Sequence, residues 1–231
     1  MTIASNKASS ESNSNDLKKD EFPSTAPAAY PVFFRSYSRK KTNGKRENWS
    51  EVGERNLSGL QKLGNLSKEE LTLMKEMQKN QKAQPSGRWL WIGGTPWIIK
   101  NENFSGAYNC TSTNLIDWEA FALMMDLAMM GCGTGAIIEP RFIEKLPVIR
   151  NKLNVKSISE VGITPKDKRQ EKSTIEIKDN NIFIKVGDSR RGWVDSYKYL
   201  LEASSNKNFD KEINIYINLE DIRPAGESLK G

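Results

Sequence analysis

Phe104-Ser105-Gly106-Ala107-Tyr108-Asn109-Cys110-Thr111-Ser112-Thr113-Asn114 leads into an apolar run, Trp118 to Met130, and then into Gly131-Cys132-Gly133-Thr134-Gly135-Ala136-Ile137-Ile138-Glu139. The first piece reads as a strand ending in a polar loop. Asp117 is placed to cap the helix that follows, its carboxylate accepting from a first-turn N–H. That helix is apolar nearly all round, which predicts burial on most sides. The glycines stop it, and Ala136 to Glu139 reads as a short buried strand. Strands alternating with helices predict an α/β layer arrangement.

The rest of the chain fits around this segment. Downstream, Thr174 to Ile177 and Ile182 to Val186 flank Asp179-Asn180, a β-hairpin signal. Gly187-Asp188-Ser189 then caps a helix with Trp193, Tyr197, Leu200 and Leu201 on one face. Ile213, Ile215, Ile217 and Leu219 alternate with polar residues, as in a half-buried strand. Upstream, Trp49, Val52, Leu57, Leu60 and Leu63 share a helical face after a cap at Asn48 or Ser50, and Gly64 ends that helix. Ser67-Lys68-Glu69-Glu70 has the form of a capping box and opens a second helix, antiparallel to the first across a short loop. Between the helices and the strand–helix–strand segment lie Trp89, Trp91 and Trp97 among glycines and prolines. That mixture does not suit a helix, and predicts backbone packed closely under rings, or a ligand wall. The Pro-punctuated run from Phe22 through Tyr30-Pro31-Val32-Phe33-Phe34 is expected to be extended, and residues 1–21 a disordered polar leader.

The composition closes off several function classes. With two cysteines and no histidine, neither a His/Cys zinc cluster nor a Ser-His-Asp or Cys-His catalytic unit can be assembled within the chain. The first twenty residues have no apolar core of a signal peptide, and no run of about 18 apolar residues exists; the reading is a cytoplasmic protein without a membrane partner. The net charge of +6 is spread out, and its densest run, Arg39 to Arg46, reads as a solvated loop. Direct nucleic-acid binding is therefore not expected.

Cys110 is either a small buried residue or a redox thiol. A rigid apolar helix separates it from Cys132, which argues against a disulfide between them. Gly131 to Gly135 reads either as a helix C-cap with a tight turn or as a nucleotide loop with free N–H groups. It is neither a Walker loop nor a dinucleotide fingerprint.

Six motifs in order change the reading: Phe33-Phe34-Arg35 near Pro31, Pro85 to Trp91, Asn109 to Asn114, Met129 to Gly135, Gly187 to Trp193, and Arg223-Pro224-Ala225-Gly226-Glu227. Their order and spacing resemble the start of the monomeric, adenosylcobalamin-dependent (class II) ribonucleoside-triphosphate reductases, from about Phe22 to the last residue. The resemblance implies an N-terminal helical region over 22–100. Over 101–231 it implies the start of a ten-stranded α/β barrel with effector-site elements, left incomplete. The implied reaction turns ribonucleoside triphosphates into 2′-deoxyribonucleoside triphosphates by thiyl-radical chemistry. Cys110 would be one of two redox cysteines, its partner lying outside this chain. Thr111, Ser112, Gly131, Cys132, Gly133 and Thr134 would line the substrate pocket, Cys132 by packing rather than redox. Asp117 would belong to the site for a deoxynucleotide effector. The cobalamin surface, the missing C-terminal portion and the contact with a thioredoxin-like reductant would lie mostly beyond Gly231, so the fragment alone is expected to be inactive. The alternative is a basic nucleotide- or single-strand-binding module without catalysis, stacking bases on Trp89, Trp91 and Trp97.

Overall fold

The structure, a computed structural model, describes residues 28–209 and 211–227. The polar leader expected over 1–21 and the start of the run from Phe22 lie outside them. The chain divides into two compact units, Met1–Ala107 and Tyr108–Gly231.

In the first unit, Asn48 caps α2 (Trp49–Leu63) and Ser67 caps α3 (Lys68–Lys79), each in a reciprocal capping box with Glu51 or Glu70. A capping box satisfies N–H groups that helix geometry leaves without partners. The Trp49 indole donates to the Lys79 carbonyl at 3.2 Å, and Lys75 lies 3.7 Å from Glu54. The start of α2 thus meets the end of α3, and the two helices run antiparallel.

Two expectations for this unit fail. The Pro-punctuated run folds into α1 (Ala29–Ser36) rather than staying extended. Pro31 falls in the first turn, where an N–H would lack an intrahelical partner anyway. Phe33 then meets Trp49 edge-on at 5.4 Å. The tryptophan-rich stretch also contains helices, α4 (Gly87–Ile92) and α5 (Pro96–Ile99). Its glycines sit at the helix ends, so they do not interrupt it, and Ser86 supplies the cap of α4. The close packing under rings is present: a Cβ on Gly93 would come within 2.6 Å of the Trp89 ring. Gly94, at φ 72°, packs so tightly that a Cβ would overlap the Arg55 carbonyl. Trp89 is buried with Ile92 and Ile98, whereas Trp91 is 44% exposed. Residues two apart on a helix face different ways, so the three rings form no common stacking surface.

The second unit begins with β1 (Cys110–Asn114), α6 (Trp118–Met129) and β2 (Gly133–Ile137), the two strands parallel. The strand therefore occupies the segment expected to be a polar loop, and Asn101–Ala107 before it is a 3-10 helix. β2 starts at Gly133, earlier than expected, and is not buried; Ile138 beyond its end is exposed. Its sheet has two strands among the described residues, so little covers it. Nor is α6 buried on most sides, since Leu123 and Met129 are exposed.

After a short helix, α7 (Pro140–Ile143), come β3 (Lys152–Ser157), β4 (Thr174–Lys178), β5 (Asn181–Lys185), α8 (Arg190–Ser205) and β6 (Glu212–Asn218). The β4–β5 hairpin forms as expected, with Asp179 at φ 53° in its turn. The sheet order is β3-β6-β5-β4. If the barrel were only started, β6 would be its last strand, with an unpaired edge; instead β6 lies between β3 and β5, parallel to both. The sequence reading missed β3, which has only two apolar residues and forms an edge with lysines, a composition that discourages further pairing.

Helix α8 connects β5 to β6 and covers one face of this sheet. Ile182, Ile184, Ile213 and Ile215 are fully buried beneath it, each contributing about 2 kcal/mol of apolar burial. Trp193, Tyr199 and Leu200 of α8 pack on this core, rather than the Trp193–Tyr197–Leu200–Leu201 set read from spacing. Helix α6 runs antiparallel to α8. At one end Arg190 meets Asp126 at 2.6 Å; at the other the Trp118 indole donates to Ser205 at 2.8 Å, with Lys198 bonded to Glu119 between.

Asp221, just after β6, is buried and lies 3.3 Å from the Lys185 ammonium. Burial pushes its carboxyl up, but hydrogen bonds from Thr164, the Gln170 N–H and Lys185 outweigh this and hold it below the usual range. A depressed folded-state value stabilises the fold above the unfolded pKa of about 3.9, and that contribution is lost as pH falls through the folded value. Asp221→Asn should therefore lower the urea midpoint at neutral pH. The gap to the parent should close as pH falls below about 4, which chemical denaturation at several pH values will measure.

The six strands make two sheets, of two and four strands, and close no barrel among the described residues. No helix among them is long and apolar enough to cross a membrane.

Candidate functional site

Parallel pairing of β1 with β2 sets Cys110 beside Gly133, Thr111 beside Thr134 and Ser112 beside Gly135. Side chains alternate along a strand, so the expected site residues divide between two faces. Cys110, Ser112 and Asn114 are exposed, as are Gly133 and Gly135 opposite them. The two glycines belong to the same face: a Cβ on Gly133 would lie 3.4 Å from the Cys110 sulfur, and one on Gly135 would lie 3.9 Å from the Ser112 hydroxyl. Thr111 and Thr134 point the other way and are half-buried. The Thr111 hydroxyl oxygen is buried and has no hydrogen-bond partner among the described residues.

Gly131 and Cys132 belong to the end of α6. Gly131, at φ 83°, donates to the Ala128 carbonyl (2.8 Å), and the Cys132 N–H donates to that of Leu127 (3.1 Å). This is a Schellman motif, in which a left-handed glycine lets two terminal carbonyls find donors. The C-cap reading thus holds for Gly131, while Gly133 and Gly135 are strand residues whose missing side chains leave the exposed face bare. Cys132 is buried, and its thiol donates to the Tyr108 carbonyl at 3.2 Å. Both cysteines are free thiols, Cys110 exposed and Cys132 buried. Asp117 accepts from the Ala120 N–H at 2.8 Å as the N-cap of α6, so its carboxylate is engaged in holding the helix that joins the two strands.

The structure also joins two motifs to which sequence reading gave no role. Asp188, nearly buried before α8, accepts from Arg223 Nε at 2.8 Å and from the Arg223 N–H at 3.4 Å. Arg169 bonds both oxygens of Glu227, at 3.0 and 2.9 Å. Hydrogen bonding from Arg169, with Lys166 nearby, holds the Glu227 carboxyl below the usual carboxylate range. Two charge pairs therefore tie the chain after β6 to the segments flanking the β4–β5 hairpin. The signal in the sequence was the charged content of both motifs; their pairing needed the fold.

No protein-family model matches the chain. It is similar to the adenosylcobalamin-dependent ribonucleoside-triphosphate reductase of Lactobacillus gasseri, 26% identical over 258 residues, covering 93% of this chain and 34% of the relative. It is also similar to the enzyme of that description from Euglena gracilis, 26% identical over 219 residues, covering 86% of this chain and 26% of the relative. A crystal structure of a B-12 dependent (class II) ribonucleotide reductase superposes with a TM-score of 0.59 at 21% identity, covering 87% of this chain and 33% of that one. Over most of its length the chain is similar to adenosylcobalamin-dependent ribonucleoside-triphosphate reductases. It spans about a third of the length of the reductases it matches. The reductase resemblance takes in both units, because matches covering 93% and 94% of the chain cannot be confined to either.

Proposed function

We propose that this chain is part of a ribonucleotide reductase that converts ribonucleoside triphosphates to 2′-deoxyribonucleoside triphosphates, and that Cys110 is one of its two reducing thiols. The observation that carries this is the exposed Cys110 thiol over the bare Gly133 position of the neighbouring strand. A nucleotide sugar needs such an opening to approach a sulfur. The balanced step takes two thiols and one substrate to a disulfide, a deoxynucleotide and water: the 2′-hydroxyl leaves as water and the two sulfurs are oxidised. The second thiol comes from the part of the enzyme outside this chain, and a thioredoxin-like dithiol would restore the pair by exchange. Cys132, buried and bonded to a carbonyl, packs and gives up no electrons.

Within this reading, Ser112, Gly133 and Gly135 share the open face with Cys110 and bound the substrate. Thr111 and Thr134 support the sheet from behind. Asp117 acts on a deoxynucleotide effector only indirectly, by holding α6. Completion of the sheets into a ten-stranded barrel would be the work of the remaining portion.

Adenosylcobalamin, when bound, supplies the radical that starts the reaction. The cobalt of this cofactor is held by its own corrin ring, so what the protein must offer is a broad surface for the ring, and the open face of β1 and β2 presents small side chains only. The site as described therefore does not fit the cofactor, no step is drawn through it, and its surface is assigned to the remainder of the enzyme.

The test joins this chain to the remaining two thirds of a relative and assays ribonucleoside triphosphate reduction with cobalamin and a dithiol reductant. Deoxynucleotide formation is expected with the joined enzyme and not with the chain alone. A well-folded joined enzyme that makes none would overturn the reading.

A further inference from the structure

The net charge that reads as spread out along the sequence is confined to one part of the chain. Residues 28–107 carry 14 Lys and Arg against 7 Asp and Glu, whereas residues 108–231 carry 18 of each. Nor is Arg39 to Arg46 a solvated loop. It is a short two-stranded ribbon, with Lys40 bridged to Arg46 and the Lys41 N–H donating to the Lys45 carbonyl at 2.8 Å. Gly44, at φ 79°, makes its turn, and the Asn43 side chain accepts from the Lys45 N–H at 3.0 Å. Lys41 meets Glu51 of α2 at 2.6 Å, and Arg39 donates to the Trp91 carbonyl of α4 at 3.4 Å. The ribbon is thus held against both helices, and a ligand need not order it, which lowers the cost of binding.

Side chains alternate across such a ribbon. Arg39 and Lys41 share the face turned to the helices, so Lys40 and Arg46 lie on the other, where both are exposed. Among the described residues neither has a carboxylate partner. Beside Arg39, Trp91 is 44% exposed, and the Arg88 guanidinium lies 6.0 Å from the centre of its ring. Burial and the like charge of Arg55 hold the Arg39 guanidinium below its usual range, so an anion there would offset a repulsion already present. Cations around an exposed indole suit a chain of phosphates with unpaired bases, in which phosphates follow the cations and a base stacks on the ring. A duplex hides its base faces, and a bilayer calls for a broader apolar face than one ring. We propose that the Arg39–Arg46 ribbon and Trp91 form a binding surface for single-stranded nucleic acid.

The proposal is independent of the reductase reading and can be tested on the 231-residue chain. A fluorescent oligothymidylate of about twelve nucleotides, within the site size of such surfaces, is titrated with protein and followed by anisotropy at several salt concentrations. Binding is expected at low salt and should weaken steeply as salt rises. Trp91→Ala should weaken it about tenfold or more, the scale of one lost base stack, and Trp91→Phe should recover most of the loss. Lys40→Gln combined with Arg46→Gln should lower the slope of log affinity against log salt by about 1 to 1.5, as for two phosphate contacts. These positions are exposed, so the fold should be kept, which circular dichroism checks. An oligonucleotide that does not bind at low salt would overturn the proposal. So would a Trp91→Ala variant that binds like the parent, or anionic phospholipid vesicles that capture the chain when the oligonucleotide does not.

Discussion

Cys110→Ser, in a reductase completed around this chain, should lower steady-state deoxynucleotide formation about a thousandfold or more, the scale on which loss of an essential reacting group acts. Serine keeps the shape and polarity of an exposed position at the start of β1, so the fold should be unchanged by circular dichroism. What it removes is the ability to form a disulfide, and with it the two electrons that each turnover consumes. Radical formation, which starts from adenosylcobalamin and not from Cys110 in the proposed mechanism, should persist. Cys132→Ser is the informative comparison: its buried thiol donates to a carbonyl, so this variant should lose stability and keep most of its turnover. Activity of the Cys110 variant within about tenfold of the parent would mean that electrons enter by another route.

The second large effect is on stability. Asp188→Ala should destabilise the second unit by about 3–5 kcal/mol, the usual cost of removing one member of a buried charge pair. The Asp188 side chain is 4% exposed and that of Arg223 is 17% exposed, so alanine would leave a guanidinium poorly solvated. The loss is also geometric, because the same carboxylate accepts from the Arg223 backbone N–H and from its side chain. Freed of it, the turn through Gly226 would be held to the start of α8 by the longer bond from Arg223 to the Asp188 backbone carbonyl, at 3.4 Å. Asp188→Asn keeps an acceptor in place and should cost less. Urea unfolding of the two variants beside the parent gives both values, and an Asp188→Ala midpoint equal to the parent's would show that the pair holds nothing.

The elements most legible in the sequence were those with side-chain caps. Asn48, Ser67, Asp117 and Ser189 each accept from an N–H in the first turn of the following helix, and a cap is a local signal that no distant partner can revise. The hairpin around Asp179 was equally local. Failures arose where tertiary surroundings decide. Pro31 was read as a helix breaker because its place in the first turn depends on where the helix begins. The Cys110 segment was read as a loop because hydroxyl and amide side chains also suit turns, and pairing with β2 makes it a strand. That one error hid the main feature of the site. Alternation, which sends Cys110 and Ser112 to one face and Thr111 to the other, has meaning only once the segment is known to be a strand. Similarly β3, with few apolar residues, owes its place to β6.

The central proposal is that Cys110 gives up electrons to the substrate, and chemical mapping of Cys110 after a single turnover tests it most directly. The completed enzyme, fully reduced and then freed of external dithiol, is given one equivalent of ribonucleoside triphosphate, quenched in acid, alkylated and digested. The expected result is that the Cys110 peptide escapes alkylation and appears in a disulfide, in proportion to the deoxynucleotide formed, while Cys132 stays a thiol. Deoxynucleotide formed with Cys110 still fully alkylated would contradict the proposal.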